Sequence, residues 1–373
     1  MIFTKNERKI HYMGAILEYK CPCCSGPLQF DTDAQKMKCP YCDNEFDAET
    51  LKSNDDILKE EKPDMMDWSS QPGNEWMQGE LEGQKVYLCN SCGGQIVCDD
   101  TTGATDCPYC GSPVVMVGQF AGDKRPDIII PFKLDKEAAK NGFKQHLWKK
   151  RLLPKAFRTD SYIDDIKGVY VPFWLYDAHA DAQAYFHGTK VKSWSDDKYN
   201  YTKTSHYRLY RNGSMDYERV PVDGSSKIAD DLMESLEPFT ADGEVAFQTA
   251  YLSGYIADKY DVDSNESNGR ANERIKKSTL DRLTSSTTDF TSVTTEISSV
   301  QLDNGTVKYA LYPVWLLTAK WNGDIYNFAM NGQTGKFVGN LPMDKGAYWR
   351  WTGLIALIAT VASLAVSAFL LLN

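Results

Sequence analysis

Residues 19–46 read YKCPCCSGPLQFDTDAQKMKCPYCDNEF, and residues 87–113 read YLCNSCGGQIVCDDTTGATDCPYCGSP. Each stretch holds two Cys-x-x-Cys pairs: Cys21/Cys24 with Cys39/Cys42, then Cys89/Cys92 with Cys107/Cys110. Fourteen residues separate the inner cysteines of both quartets, and each ligand of the second lies 68 positions after its counterpart. This is an internal repeat. Its chemistry is that of a tetrahedral metal site: one Cys-x-x-Cys turn supplies two thiolates, and a second turn, returned by a short hairpin, supplies two more. Proline follows Cys21, Cys39 and Cys107, and glycine lies one or two residues past Cys24, Cys92 and Cys110, as a tight knuckle requires. A unit of about 30 residues buries too little apolar surface to fold alone, and zinc binding worth about 10–16 kcal/mol supplies the difference. The expected cofactors are therefore two structural Zn²⁺ ions in closed Cys₄ shells.

Disulfides are the competing use of these cysteines. They need an oxidising compartment, and residues 1–20 lack the apolar core of a secretory signal. Redox Cys-x-x-Cys motifs come singly on a βαβ unit, not as spaced quartets. Cys23 and Cys98 remain outside the quartets. They read as small buried side chains, with a redox-sensing thiol as the alternative.

Working outward, the chain has 373 residues, a net charge of −10 and 42% hydrophobic residues, which excludes a wholly disordered or polytopic membrane protein. The acid is concentrated: Asp43 to Lys85 holds thirteen acidic and four basic residues, and Val86 to Gly122 has Asp99, Asp100 and Asp106 with no lysine or arginine. Phosphate binding needs basic side chains, so nucleic-acid recognition is disfavoured despite the ribbon-like cysteines. The acidic segment, with Trp68 and Trp76, reads as a linker or a protein-docking tether.

Residues 123–346 read as an α+β domain with an antiparallel sheet. Asp135 caps a helix that runs to about Lys150 before Pro154. Residues 168–191 alternate as a strand, with Asp177, His179, Asp181, Gln183 and His187 on one face and Ala178, Ala180, Ala182, Ala184 and Phe186 on the other. Hairpin turns are expected at Asn212-Gly213 and Asn322-Gly323, and helices near 227–236 and 270–283. Pro172-Phe-Trp174-Leu175 matches Pro313-Val-Trp315-Leu316, a short repeat of core and strand-edge residues. His179, Asp181 and His187 form a candidate metal or acid–base face whose plainer reading is a solvated strand face. Asp261-x-Asp263-x-Asn265 opens like a calcium loop, but Glu266 stands at the required glycine and Asn272 at the required glutamate. Gly332-Gln-Thr-Gly335-Lys336 reads as a β-turn, and the Walker A pattern is absent.

The two cysteine stretches resemble TFIIB-type, rubredoxin-like zinc ribbons. Together with IIIPFKLDKEAA (128–139), GVYVPFWLYDA (168–178), LYPVWLL (311–317), MNGQTGKFVGNLP (330–342) and a terminal apolar helix, they resemble a family of bacterial membrane-anchored zinc-ribbon proteins. The resemblance implies association with phage-shock-protein-A-like and SPFH (flotillin-like) proteins, and a role in membrane stress or membrane-complex assembly. It carries over the eight zinc ligands and no catalytic residue, so an enzyme is not expected.

From Trp351 to Asn373 there is no charged residue, and Trp349 and Trp351 stand where interfacial aromatics do. At 1.5 Å per residue this run spans about 34 Å, enough for a hydrocarbon core of about 30 Å. Lys345 and Arg350 on its N-terminal side keep the body in the cytosol. The expected organisation is multidomain: a leader (1–18), ribbon one (19–46), an acidic linker (47–85), ribbon two (86–122), the α+β domain (123–346) and one C-terminal transmembrane helix (348–372). The expected function is a single-pass cell-membrane adaptor that docks cytosolic proteins. A membrane-tethered nucleic-acid binder and a redox sensor or enzyme are the alternatives.

Overall fold

The computed structural model describes residues 20–21, 26–48, 51, 62–69, 71–99, 106–119, 124–148, 150–154, 157, 163, 165–339 and 341–372. The expected leader, Cys23 and Cys24 lie outside these residues. The chain divides into two compact units. One comprises Met66–Ala180, Met215–Ser278 and Leu302–Asn373; the other comprises Met1–Met65, Asp181–Ser214 and Thr279–Gln301.

A small antiparallel sheet is made by β1 (Gln29–Asp31), β2 (Lys36–Lys38) and β3 (Glu45–Phe46). The remaining eleven strands form one sheet. They are β4 (Gln84–Cys89), β5 (Gln95–Asp99), β6 (Val114–Gln119), β7 (Ile128–Ile129), β8 (Lys167–Ser195), β9 (Asn200–Asp223), β10 (Val245–Ala246), β11 (Ile256–Asp258), β12 (Ser292–Trp321), β13 (Asp324–Asn331) and β14 (Phe337–Gly339). The main path runs β10-β7-β12-β8-β11-β5-β4-β6, with β9 beside β8 and β13 between β12 and β14. The sheet is mixed rather than purely antiparallel, because β11 pairs parallel to β8 and β7 parallel to β12. Helices are α1 (Lys136–Trp148), α2 (Asp230–Ser235), α3 (Ser264–Ser285) and α4 (Lys345–Leu372).

Local chemistry explains most boundaries. Asp135 Oδ1 accepts the Ala138 N–H at 2.7 Å and opens α1 as a cap. Asp263 does the same for α3, accepting Glu266 N–H at 2.9 Å, so the calcium-like triplet is a cap and a salt-bridge partner. Asp344 opens α4 through Ala347 N–H at 2.9 Å. On β8 the alternation holds: Ala178, Ala180, Ala182, Ala184 and Phe186 are buried, and His179 and Asp181 share the wet side. The matched tryptophans are core residues whose indole N–H groups reach backbone carbonyls: Trp174 to Val262 at 3.0 Å and Trp315 to Leu134 at 3.1 Å.

The turn at Asn322-Gly323 forms with both residues at positive φ, 53° and 91°. The turn expected at Asn212-Gly213 does not: both residues lie inside β9. The chain reverses instead at Asp196, whose carboxylate accepts the Lys198 and Tyr199 N–H groups while its own N–H reaches the Tyr199 carbonyl at 2.9 Å. Gly332–Lys336 is a turn, closed by Gly335 N–H to the Asn331 carbonyl at 2.9 Å with Gly335 at φ 76°.

The described half of the acidic linker is not a free tether. Trp68 packs edge-on against Tyr176 at 4.7 Å and donates to Asn272 Oδ1 at 2.8 Å. Trp76 packs on Phe247 at 5.8 Å, and Glu80 holds Arg125 through both carboxylate oxygens at 2.9 and 3.1 Å.

Candidate metal centres

Three knuckles of the two quartets share one backbone design. Cys89 N–H donates to the Gly94 carbonyl at 2.9 Å and Gly93 N–H returns to the Cys89 carbonyl at 2.8 Å. Cys107 with Ser112 and Gly111 repeats this at 2.8 and 2.9 Å, and Cys39 with Asn44 and Asp43 at 2.9 and 2.9 Å. The residue four after the leading cysteine has positive φ each time: Gly93 at 73°, Gly111 at 63°, Asp43 at 56°. Glycine takes this conformation without steric cost, and aspartate is among the residues that tolerate it. The fourth knuckle begins with Cys21 N–H to the Gly26 carbonyl at 2.7 Å.

The sulfurs converge. In the second quartet Cys89 and Cys110 Sγ are 3.5 Å apart and Cys92 and Cys107 Sγ 3.6 Å, with all four within 4.8 Å of one another. In the first, Cys21, Cys39 and Cys42 meet the same limit, with Cys21 and Cys42 Sγ at 3.6 Å. A tetrahedron with metal–sulfur bonds of about 2.3 Å has edges of about 3.8 Å, so both groups fit one ion each. Cys24, the expected fourth ligand of the first group, lies outside the described residues. An all-sulfur set suits a soft or borderline ion.

Electrostatics point the same way. Burial raises the thiols of Cys92 and Cys107. At Cys110 burial opposes ionisation, but hydrogen bonds from Ser112 and the neighbouring thiols outweigh it and bring the group down to about 6. Four thiolates this close repel one another, and a divalent cation at their centre relieves that repulsion.

The second quartet is part of a larger core. Cys89, Cys107 and Cys110 belong to one buried cluster with Ile96, Cys98, Val169, Val171 and Ile256. Its sheet β4-β5-β6 continues into the larger one, since Val97 pairs with Ala257 and Ile96 with Asp258 across β5 and β11. The boundary drawn at residue 122 is thus crossed by a continuous sheet. Tyr109, between the ligands Cys107 and Cys110, lies over the first knuckle, where a Cβ on Gly94 would meet its ring at 3.2 Å. Facing it is Asp258, fully buried, whose oxygens have no well-placed hydrogen-bond donor. Burial pushes its carboxyl up to about 7, against the pull of Ser225 and Tyr109 beside it. Nothing in the local sequence marks Asp258; only the β5–β11 pairing places it there. Cys98 is wholly buried, and burial pushes its thiol up to about 12, the environment of a packing residue rather than a reactive one.

The acid–base candidates do not converge. His179 Nδ1 meets Asp216 at 2.6 Å, Asp181 accepts the Ser214 hydroxyl at 2.5 Å, and His187 meets His206 at 2.9 Å. Each is a separate cross-strand pair between β8 and β9. At the C-terminus, Lys345–Ser367 of α4 is long and apolar enough to cross a membrane, and its most apolar stretch is not buried against the rest of the chain.

No family model and no solved structure matches the chain. A Bacillus subtilis (strain 168) protein, the uncharacterized protein YdjG, is 31% identical over 341 residues, covering 91% of this chain and 94% of the relative. The chain therefore belongs to the same family as YdjG of Bacillus subtilis.

Proposed function

We propose that this protein is a membrane-anchored zinc-ribbon adaptor that holds cytosolic protein partners at the bilayer. The observation that carries the reading is the second cysteine quartet: four converging sulfurs, packed in the core, with an exposed strand edge beside them. All four coordination positions would be filled by cysteine, which suits a structural Zn²⁺ and leaves no open position for a substrate. The adjoining strand β6 ends the sheet path and exposes Val115, Met116 and Val117 at 52%, 54% and 58%. An edge strand with apolar side chains is a template for an added partner strand, with backbone hydrogen bonds giving affinity and side chains selecting the partner. A register shift between Val86 and Tyr87 places a bulge at this edge of the sheet, where bulges are common. The apolar α4 would be the anchor, and the positive charges of Lys345 and Arg350 would keep the body cytosolic. Family resemblance makes phage-shock-type and SPFH-type proteins the first partners to examine.

The test is a comparison of the full chain with Met116→Asp, each extracted in mild detergent. Zinc content should be two ions per chain in both. The expected result is that a phage-shock-type or SPFH-type protein co-purifies with the parent and is lost with Met116→Asp. Equal partner recovery by both chains counts against the edge as the docking site. Recovery of nucleic acid in place of protein favours the nucleic-acid alternative.

A further inference from the structure

The hairpin formed by β8 and β9 extends past the residues that cover it. On one side, the buried face of this unit is closed by Phe186, by Leu209 and by Phe290; a Cβ on Gly188 would meet Phe290 at 2.9 Å and Leu209 at 3.0 Å. Lys190 Nζ lies 4.6 Å over the Phe290 ring, and there the cover ends. Every residue from 190 to 204 is exposed, so the tip is a two-stranded ribbon open on both faces.

The two faces differ. Trp194 and Tyr201 stack across the strands at 5.5 Å and 13°, and Tyr199 lies 6.3 Å from Tyr201. Strand alternation places Lys192 and Lys203 on that same side. The opposite side carries Val191, Ser193, Ser195, Asn200, Thr202 and Thr204, with Ser193 and Thr202 hydroxyls 3.2 Å apart. Trp194, Tyr199 and Tyr201 are 47%, 65% and 39% exposed. The turn is rigid, because Asp196 accepts two backbone N–H groups and the Tyr201 hydroxyl at 2.8 Å. A free ribbon of this kind is marginal by itself, and like charges on neighbouring cross-strand positions weaken it further. Exposed aromatics and paired lysines are what an anionic amphipathic partner would satisfy.

We propose that this aromatic and basic face is a docking element for an anionic lipid surface. Tyrosine and tryptophan settle at the headgroup level, where the ring is half in hydrocarbon and the polar atom stays wet, while lysines meet lipid phosphates. Residues 190–204 hold four lysines and two aspartates, a positive patch in a chain of net charge −10. Nucleic acid is the less favoured partner: bases need open ring faces, and Trp194 and Tyr201 cover each other while Asp196 stands beside them. The inference draws support from the reading of α4 as a bilayer anchor, which would hold lipid at high local concentration. It needs no particular placement of the hairpin relative to that helix, since the surface contacted can be the same bilayer or another.

The test uses the full chain and its Trp194→Phe variant, so that the difference in emission isolates Trp194 among nine tryptophans. In one arm the chains are reconstituted into vesicles with brominated acyl chains, rich or poor in phosphatidylglycerol. In the other, chains held in nanodiscs of ordinary lipid meet added brominated vesicles. The expected result is quenching of Trp194 in at least one arm, dependent on phosphatidylglycerol, with affinity for added vesicles falling about fivefold for each of Lys192→Ser and Lys203→Ser. Circular dichroism confirms that these exposed changes leave the fold intact. Absence of Trp194 quenching in both arms overturns the proposal, as does a Trp194 response to oligonucleotides but not to vesicles. Trp349→Phe and Trp351→Phe report separately on the anchor: unquenched indoles there in the first arm remove the anchor reading and leave the second arm to judge the ribbon.

Discussion

At the scale of single residues, burial decides what each polar or sulfur atom can do. Cys98 and Cys110 lie in the same cluster, yet burial, with the Asp99 charge beside it, lifts the first to about 12 while donated hydrogen bonds bring the second to about 6. Asp258 is the residue whose position is hardest to justify by stability. Its folded value of about 7 lies above the ordinary 3.8, so the folded state binds the proton more tightly than the unfolded one. Stability from this group is therefore complete below the ordinary carboxylate value and is lost as pH rises through about 7. Asp258→Asn should melt higher than the parent above that pH and no higher below pH 3.8; thermal scans across that window check it. A melting difference that does not change with pH would mean that Asp258 is held charged by a group beside it.

At the scale of elements, close approach of backbone to ring explains how residues 66–69 stay on the sheet. A Cβ on Gly305 would stand 2.9 Å from the Trp68 ring and 3.0 Å from the Asp67 carbonyl. Gly305→Val should displace Trp68 from Tyr176 and Asn272, at an overpacking cost of about 1–3 kcal/mol. The expected readout is a red-shifted tryptophan emission and faster proteolysis within residues 62–69, with Gly305→Ala less affected. Unchanged emission would show that the Trp68 contact yields without leaving its site. The ion pair of Glu80 with Arg125, whose guanidinium also reaches the Phe247 carbonyl at 2.8 Å, pins the next stretch of the same linker. Glu80 is held below its ordinary value chiefly by that guanidinium, so this latch is present above about pH 4.5 and weakens as pH falls below it.

At the scale of the whole molecule, the terminal helix and the cysteine quartets should separate cleanly in experiment. Ending the chain after Met343 removes α4 and leaves the sheet and both quartets. After a high-salt wash that releases lysine–lipid contacts, the shortened protein should move from the membrane fraction to the supernatant and retain its metal, which fractionation with metal analysis checks. A shortened chain that still pellets with membranes, while soluble in detergent-free buffer after a salt wash, would show a second membrane contact.

Much of this was legible in local spacing. Three of the Cys-x-x-Cys turns, the cap at Asp135, the alanine face of β8, the Asn322-Gly323 turn and the apolar run from Trp351 all depend on residues within a turn or two of each other, where stereochemistry acts directly. Tertiary structure decided the rest. Asn212-Gly213 has the residues of a turn, but pairing along β8 keeps it extended, and Asp196 offers a closer reversal. The acidic linker has the composition of a tether, yet two tryptophans and one bidentate ion pair hold its second half to the sheet. The parallel pairs β8–β11 and β7–β12, and the union of the second quartet with the main core, join segments far apart in the chain. Hydrogen bonds and burial between such segments leave no period in the sequence, because what selects them is the free energy of the assembled sheet.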